Sequence, residues 1–492
     1  MAKEEKRLRY EFLKEKIGGV FMEKMNAFIA EPDCVSAENP GEKKRESRYF
    51  SRGRTIAEKY KYGTVENQEF LKEIRETLFA FGRKFPSPAG GSYYLGDDGT
   101  PMMERPRETW ITSRMVHVYS LAKLLGYPGS EELIEKGLQG LTGELHDDLH
   151  DGWYAGVTSD GGILPDKQCY AHAFVILAAS SAYLAAEEKA RELLDHALEV
   201  YDRFFWNENE GLSCDTWNTE FTVLDDYRGL NANMHTVEAF LAAADALGDD
   251  RYRERAGRII GHVMKWAQEN HLRTPEHFRS DWSADLDCNR EKPDDPFKPY
   301  GATPGHGIEW ARLIVQWCVS VYGEDSEADN YISFAEQLYG RAVADGWAAD
   351  GEPGFCYTTD RNGEPVVHDR MHWTLAEAIN TSAVLFQVTG KEKYADDYAR
   401  YMKYLDECVL DHVNGSWFHQ LDRYNHLLTT VWPGKSDLYH AVQATLIPYN
   451  RRIGLSIAAA VKNAEITEGR GRSYGTNTSE LYVEGAVSYC SD

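Results

Sequence analysis

The segment from Pro299 to Arg312, PYGATPGHGIEWAR, places an imidazole and a carboxylate at the start of a predicted helix. Its glycines and prolines indicate a turn and the apolar run after them indicates a helix, so His306 and Glu309 fall in the first helical turn. Residues three apart share one helical face, where a carboxylate can orient an imidazole and raise its basicity. The alternative is a purely structural helix start, in which Glu309 stabilises the helix dipole.

The position of His306 belongs to a repeated pattern. Four segments each end a helix, pass through a Gly- and aromatic-rich hairpin and open a new helix on an aromatic residue or a histidine. The matched positions are separated by 63, 71, 67 and 67 residues and are occupied by His172, His235, His306, Trp373 and His440. A period of this length is typical of repeated helical hairpins.

Apolar residues from about Glu66 onward recur with a 3.6-residue period, which predicts a chain of helices. We predict twelve, at Phe70 to Phe81, Trp110 to Leu125, Glu131 to Leu145, His172 to Ala186, Glu187 to Phe205, Met234 to Leu247, Asp250 to Ala267, Gly307 to Tyr322, Ala328 to Ala344, His372 to Val388, Tyr394 to Val409 and Asp437 to Ile447. Six helical hairpins indicate an all-α fold, an (α/α)6 barrel with short β-hairpins in the loops of the active-site rim. An open solenoid is the alternative, and it would leave the histidines along a groove.

A closed barrel would bring three histidines into one cavity with Arg114, which lies in the segment TWITSRMVHVY. One imidazole can remove a proton from carbon while another, protonated, serves an oxygen, because histidine titrates close to neutral pH. A guanidinium can stabilise the negative oxygen that develops. His235, His306, His440 and Arg114 therefore favour proton transfer next to a carbonyl group.

Two other chemistries remain open at this stage. Zinc or manganese could in principle be bound by His235, Glu238, His306, Glu309 and His440, although none of these lies in a compact HxxxH or HExxH pattern. The paired carboxylates of a glycoside hydrolase could come from Asp225, Asp226, Asp287 and Glu309. The spacing of these acids does not pair them, whereas the histidines recur. A sugar-binding protein without catalysis is a further alternative.

Composition narrows the class of protein. The 492 residues include 12 Trp, 29 Tyr and 19 Phe, and aromatic rings suit the apolar faces of sugars. A formal net charge of −25 argues against nucleic acid as a partner, since phosphate recognition needs a basic surface. Eight cysteines without CxxC spacing indicate reduced thiols, and the sequence contains no 18-residue apolar run or signal-peptide pattern. We predict a cytoplasmic protein that does not contact membranes.

The chain is predicted to have three parts. Residues 1–60 form an N-terminal extension with a short amphipathic helix around Tyr10 to Ile29 and a basic linker, GEKKRESRYFSRGR. Residues 61–462 form the barrel. Residues 463–492, rich in Gly, Ser and Thr, form a tail predicted to be disordered.

Seven segments carry a family resemblance: WITSRMVHVYS, DGWYAG, DYRGLNANMHTVEAF, PEHF, PYGATPGHGIEWARL, MHWTLAEA and VWPGKSDLYHAVQATLIP. Together they resemble the N-acylglucosamine 2-epimerase superfamily of sugar epimerases and aldose–ketose isomerases, over about residues 66 to 460. The resemblance implies an (α/α)6 barrel, a small-molecule sugar substrate and no metal or organic cofactor. Within the family, GHGIEWARL and GKSDLYHA resemble mannose isomerases and sulfoquinovose isomerases more than epimerases.

The resemblance also implies roles for individual residues. His440 would move the proton between C1 and C2 of the sugar, and His306, oriented by Glu309, would be the acid/base for ring opening and for oxygen. Arg114 would stabilise the enediolate. The sugar site would be shaped by His235, Asn231, Glu238, Trp110, Tyr119, Gln168, His172, Trp373 and Trp417.

The charge of the substrate is a second open question. A sulfonated sugar should meet an additional cation, but Asp294 and Asp295 precede the central segment and would repel an anion. Lys298 and Arg290 keep the alternative open. We therefore expect conversion of D-mannose to D-fructose through a histidine-catalysed enediolate, with sulfoquinovose isomerisation or sugar 2-epimerisation as alternatives. The sequence does not decide between a monomer and a homo-oligomer.

Overall fold

Helices dominate the computed structural model, which describes residues 56–464. They are α1 (Val65–Gly82), α2 (Thr109–Leu124), α3 (Ser130–Leu141), α4 (Cys169–Leu184), α5 (Ala190–Phe204), α6 (Leu230–Leu247), α7 (Arg251–Glu269), α8 (Pro304–Tyr322), α9 (Glu327–Gly346), α10 (His372–Thr389), α11 (Glu392–Tyr404), α12 (Tyr439–Gln443) and α13 (Ile457–Lys462). Short 3-10 turns span Glu58–Tyr60 and Ile447–Tyr449, and a π-helical turn spans Leu405–Val409. Among the described residues, no helix is both long and apolar enough to cross a bilayer.

Two kinds of helix form two concentric layers. The even-numbered helices α2 to α12 pack side by side in chain order, and α12 returns to α2, which closes the ring. They are buried on nearly all sides, as the apolar segment CYAHAFVILAASSAYL of α4 requires. The odd-numbered helices α3 to α11 each pack on the preceding inner helix, and α1 packs on α12. Outer helices such as α5, ARELLDHALEVYDRF, keep a charged face for solvent. The fold is an all-α (α/α)6 barrel, as predicted.

Short antiparallel strands lie in the loops at one end of the barrel. They are β1 (Tyr94–Leu95), β2 (Pro101–Met102), β3 (Arg107–Glu108), β4 (Gly156–Val157), β5 (Ile163–Leu164), β6 (Lys167–Gln168), β7 (Trp206–Asn207), β8 (Leu212–Ser213), β9 (Thr216–Trp217), β10 (Arg228–Gly229), β11 (His277–Phe278), β12 (Thr358–Thr359), β13 (Pro365–Val367), β14 (Arg370–Met371) and β15 (Gln420–Leu421). The strands β3, β6, β10 and β14 each end where an inner helix begins, and each pairs with a strand from the next repeat. These strand pairs connect the loops of successive repeats to one another around the N-termini of the inner helices.

Five helix boundaries differ from the prediction by four or five residues. Helix α1 begins at Val65 and not at Phe70, α3 ends at Leu141 and not at Leu145, and α11 ends at Tyr404 and not at Val409. The last inner helix, predicted from Asp437 to Ile447, is α-helical only over Tyr439–Gln443. After it the amides of Thr445 and Leu446 bond three residues back, to Val442 O and Gln443 O, and a 3-10 segment follows. Helix α6 begins at Leu230, four residues before the predicted Met234. The helix predicted around Tyr10 to Ile29, the basic linker and most of the predicted tail lie outside the described residues.

Buried ion pairs fix several rim loops. Lys167 Nζ lies 2.9 Å from Asp147 Oδ2, and the Lys435 ammonium donates to Asp411. All four side chains are almost completely buried, and each lysine shortly precedes an inner helix. Although burial raises the pKa of Asp411, Lys435 and nearby backbone amides outweigh it and hold the pKa at about 2. Breaking such a pair leaves one uncompensated buried charge.

We expect Asp411→Asn to lower the free energy of unfolding at pH 7 by about 3 kcal/mol, because it leaves Lys435 unpaired in the interior. The pKa of Asp411 is depressed in the folded state, so its contribution is complete above about pH 4 and is lost as the pH falls towards 2. The difference in the free energy of unfolding between the variant and the native protein should therefore become smaller as the pH falls from about 4 towards 2. Urea unfolding at several pH values measures it. Asp396→Asn, on the exposed side of α11, is the control, and an equal loss there would refute the prediction.

Candidate active site

Ionisable side chains, which we call the charged cluster, meet inside the barrel, on the first three turns of the inner helices. Each is less than a tenth exposed, and together they comprise Arg114, His235, Glu238, His306, Glu309, Arg312, Glu377 and His440. The inner helices α2, α6, α8, α10 and α12 each contribute at least one of them. The sequence prediction that the repeat positions converge is correct for His235, His306 and His440.

His306 opens α8 and is held by a carboxylate from another loop. Its Nδ1 lies 2.8 Å from Glu276 Oε2, and Glu276 Oε1 accepts the backbone N–H of Thr303, the N-cap of α8. The ring stacks on Trp373 with centroids 5.0 Å apart. The predicted orientation of His306 by Glu309 is therefore wrong, because a residue three positions along α8 points deeper into the barrel. Glu276 was missed, although its segment PEHF was recognised.

His440 has its own carboxylate. Its Nδ1 lies 3.0 Å from Glu377 Oε1, while Glu377 Oε2 accepts from Arg312 Nε at 2.7 Å. An ionised Glu377 accepts the Nδ1–H of His440, which leaves the Nε2 lone pair for chemistry. Burial lowers the pKa of His440 well below its usual range, so the ring is neutral at pH 7. Glu377 and Arg312 were not among the predicted site residues.

Glu309 lies among these groups and shares Arg312 with Glu377. Its Oε1 is 3.5 Å from Arg312 Nη2, and its buried Oε2 has no hydrogen-bond partner within residues 56–464. Burial, followed by the charge of Glu377, raises the pKa of Glu309 well above its usual range. Burial also raises the pKa of Glu377, but Arg312 opposes that shift through its charge and its hydrogen bond. Since Glu377 makes the shorter contact with Arg312, we assign the proton to Glu309.

His235 and Glu238 form the third acid–imidazole pair, on α6. His235 Nδ1 is 3.6 Å from Glu238 Oε2, and Glu238 also accepts hydrogen bonds from the Tyr439 hydroxyl and from Gln443 Nε2 at 3.2 Å. Burial lowers the pKa of His235 to about 4, although Glu238 opposes the shift. Asn231 lies one turn earlier on the same helical face, and its buried Oδ1 is unpartnered among the described residues.

Hydrogen bonds hold the guanidinium of Arg114 in place at the edge of the pocket. Its Nη1 donates to Asp437 Oδ2 at 2.6 Å and its Nη2 to the Tyr170 hydroxyl at 2.9 Å. The guanidinium carbon lies 4.3 Å from the ring centre of Phe174. These contacts fix the direction of a positive group that faces the histidines from α2.

Aromatic rings form the outer wall of the site. Trp110 lies about edge-on to Phe297 and Trp432, with centroids 6.1 Å away in each case, and Tyr170 lies 6.2 Å from Phe297. Phe297 is 43% exposed on the long loop between β11 and α8. It was not predicted, although Trp110 and Trp373 were. Such rings suit the apolar face of a sugar.

Four predicted sugar-site residues have other surroundings. Tyr119 faces the outer layer, donates to Phe79 O at 2.9 Å and stacks on Phe85. His172 is a satisfied core residue, because Nδ1 donates to Gln168 O at 2.7 Å and Nε2 accepts from Trp153 N at 3.1 Å. The prediction was wrong for both, since sequence period does not distinguish the two faces of a fully buried inner helix.

Trp417 and Gln168 also lie away from the charged cluster. Trp417 is 1% exposed and bridges to Leu410 after the last outer helix, where it makes no ring contact with the central histidines among the described residues. The structure therefore does not bring Trp417 into the charged cluster. Gln168 ends the rim strand β6, and its carbonyl orients His172.

A cation could meet two overlapping donor sets in the cluster. The ligand atoms of His235, Glu238 and Glu309 lie within 4.8 Å of one another, as do those of Glu309, Glu377 and His440. Arg312 already holds Glu377 and approaches Glu309, so a metal ion would compete with a fixed guanidinium. The arrangement favours proton transfer by the imidazoles over metal ligation.

Comparison with known proteins agrees with this geometry. The chain is 42% identical to a D-mannose isomerase of Thermobifida fusca over 385 residues, which are 78% of this chain and 94% of that protein. It is 41% identical to a D-mannose isomerase of Pseudomonas cannabina pv. alisalensis over 75% of this chain and 89% of that protein. A crystal structure of a D-mannose isomerase superposes with a TM-score of 0.71 at 26% identity, covering 77% of this chain and 96% of that one.

The match to a family is equally extensive. Residues 90–444 match the family described as N-acylglucosamine 2-epimerase, and this range includes every residue of the charged cluster. The chain therefore belongs to the N-acylglucosamine 2-epimerase family and is an enzyme of that family.

Proposed function

We propose that this enzyme interconverts D-mannose and D-fructose. Relatives at 42% and 41% identity are D-mannose isomerases. The observation that carries the proposal is a pair of imidazoles, His306 and His440, which both lie next to Trp373, with ring centroids 5.0 and 5.9 Å from it. Each has a separate carboxylate, so one can serve oxygen while the other serves carbon.

Ring opening is the first step of the proposal. His306 takes the proton of the anomeric hydroxyl and delivers it to the ring oxygen, O5, as the C1–O5 bond breaks, which leaves a carbonyl at C1. Glu276 at 2.8 Å holds the imidazole and stabilises its charged form. The bond from Glu276 to the N-cap of α8 fixes this carboxylate in turn.

Proton transfer between the carbons follows. Nε2 of His440 removes the proton from C2, and the electron pair forms the C1–C2 double bond of an enediolate. The protonated imidazole then returns the proton to C1. At the same time His306 carries the proton of the C2 hydroxyl to O1, which gives the carbonyl at C2 and the hydroxyl at C1 of the ketose. Neutral His440 is the required base, and Glu377 compensates the charge that it gains.

Charge on the sugar oxygens is met by two groups. Arg114, fixed by Asp437, offers a guanidinium to the enediolate. Glu309, with its raised pKa, offers a carboxylic acid proton near the centre. We therefore assign His440 and His306 as the proton carriers, with Arg114 and Glu309 as stabilisers.

The surroundings favour a neutral hexose over a sulfonated one. Lys298 Nζ lies 3.8 Å from the ring centre of Tyr227, and Arg290 is exposed and pairs with Asp287 at 3.3 Å. Both cations that kept sulfoquinovose open as a substrate are thus engaged elsewhere. Asp294 and Asp295 remain on the same loop as Phe297 and add negative charge.

The direct test is incubation with D-mannose in D2O, followed by proton NMR. We expect D-fructose with deuterium at C1, because the imidazolium formed from His440 exchanges with solvent during the lifetime of the enediolate. Heat-inactivated protein is the control. D-glucose as the main product would instead show return of the proton to the opposite face of C2, as in an epimerase, and no product at all would contradict the sugar assignment.

Substitution separates catalysis from orientation. We expect His440→Ala and His306→Ala each to lower kcat at least about 10²-fold, the usual contribution of a general acid or base. Glu276→Gln should lower kcat about tenfold with little change in KM, since the imidazole stays but loses its charged partner. Glu132→Gln, exposed on α3, is the matched control. Near-native rates in either alanine variant would remove that histidine from the mechanism.

Histidine titration tests the protonation state. Burial lowers the pKa of His235 to about 4, so we expect its ring signals to stay constant from pH 8 down to 6 and to move only near pH 4. Carbon-detected NMR of histidine-labelled protein measures this, with His235→Gln identifying the signal. A pKa of about 6.5, the value of histidine in a free peptide, would show that water reaches His235. It would contradict the buried, neutral state assigned to this ring.

A further inference from the structure

Two histidines and an aspartate converge on the outer surface of the barrel. His146 and Asp151 lie in the loop after α3, and His196 lies in the middle of the outer helix α5. The Nε2 atoms of the two histidines are 3.3 Å apart, and Asp151 Oδ1 lies 2.9 Å from His196 Nε2 and 3.5 Å from His146 Nε2. Their side chains are between 19% and 39% exposed, so the cluster is open to solvent.

The tautomers of the two histidines leave this cluster with more hydrogen-bond acceptors than donors. His146 Nδ1 lies 2.8 Å from the Asp148 carboxylate and must donate to it, so the neutral ring presents a lone pair at Nε2. The Asp151 carboxylate offers only lone pairs. A single N–H on His196 Nε2 would have to satisfy both acceptors, whereas a divalent cation would satisfy all three groups together.

The spacing fits a tetrahedral transition-metal ion. Zinc bonds of about 2.0 to 2.1 Å to nitrogen and oxygen require ligand atoms about 3.3 Å apart. The three separations here are 3.3, 2.9 and 3.5 Å. The contact from His146 Nδ1 to Asp148 is the carboxylate–histidine arrangement that supports metal-bound imidazoles.

The loop is shaped to hold this geometry. Asp151 has a φ of 75°, a left-handed conformation that aspartate tolerates, and its Oδ1 accepts the Gly152 N–H at 2.8 Å. The ring of Trp153 packs against both imidazoles, with centroids 5.4 Å from His146 and 5.7 Å from His196. Rotation of either ring is therefore restricted by the same buried tryptophan.

We propose that His146, Asp151 and His196 bind one divalent transition-metal ion, with zinc as the favoured ion and water in the fourth position. The ion would link helix α5 to the loop that follows α3. This site is separate from the charged cluster that we assign to the sugar. A similar group, Asp350, Cys356 and His368, is a poorer candidate because Arg370 already binds its carboxylate at 2.9 Å. An HxxxH pattern occurs at residues 146–150, but the structure pairs His146 with His196 instead.

Tag-free protein titrated with zinc by calorimetry tests the proposal. We expect one tight site per chain and a rise in melting temperature on addition of zinc. His196→Gln and Asp151→Asn should each weaken binding at least about tenfold. Asparagine tolerates the left-handed backbone at 151, and His196 lies on a partly exposed helix, so both variants should fold. His426→Gln, at an exposed His–Asp pair on the rim, is the matched control and should bind like the native protein.

Cobalt identifies the ligands independently. We expect visible absorption of a tetrahedral cobalt site without thiolate charge-transfer bands, and its loss in His196→Gln. Thiolate bands would place the metal on cysteines, and binding that survives both variants would place it elsewhere, such as among His235, Glu238 and Glu309; either result overturns the proposal. None of these readouts depends on the sugar reaction, so the failure of one proposal leaves the other standing.

Discussion

The contact between Arg312 and Glu377 is the interaction on which the centre of this enzyme depends. Three carboxylates, those of Glu238, Glu309 and Glu377, lie inside a closed ring of apolar helices, where isolated charges are very unfavourable. Arg312 binds Glu377 at 2.7 Å and reaches Glu309 at 3.5 Å. The arginine therefore keeps Glu377 ionised, which lets that carboxylate fix the tautomer of His440.

Buried ion pairs also hold the loops at the rim of the barrel. Every inner helix must present its first turn at the same height, yet the preceding loops have little hydrophobic core of their own. Buried cations near the helix starts, such as Lys167, Arg370 and Lys435, anchor these loops to aspartates of the preceding turns. The site is thus assembled by helix packing and held in register by ion pairs that do not touch it.

Much of this could be predicted from sequence, because the repeat and the 3.6-residue period report directly on hairpins and on which residues open the inner helices. His235, His306 and His440 were found in this way. Tyr119 and His172 were misplaced since a helix buried on all sides gives no periodic signal for the face that points inward. Glu276 was missed as a partner because it reaches His306 through the pairing of β10 with β11, a long-range contact that local spacing does not encode.

The low resting pKa of His440 and its proposed role as a base are compatible, because burial acts before the proton is transferred and the neighbouring charges act after it. Before the reaction, burial keeps the ring neutral, and Arg312 pairs with Glu377. In the proposed reaction His440 would gain the C2 proton; its Nδ1 lies 3.0 Å from Glu377 Oε1, and Asp437 would add to the attraction. The carboxylates of Glu377 and Asp437 would thus stabilise the intermediate more than the resting state, which is the condition for catalysis. A single carboxylate beside His440 would not achieve this alone, since burial would protonate it without Arg312.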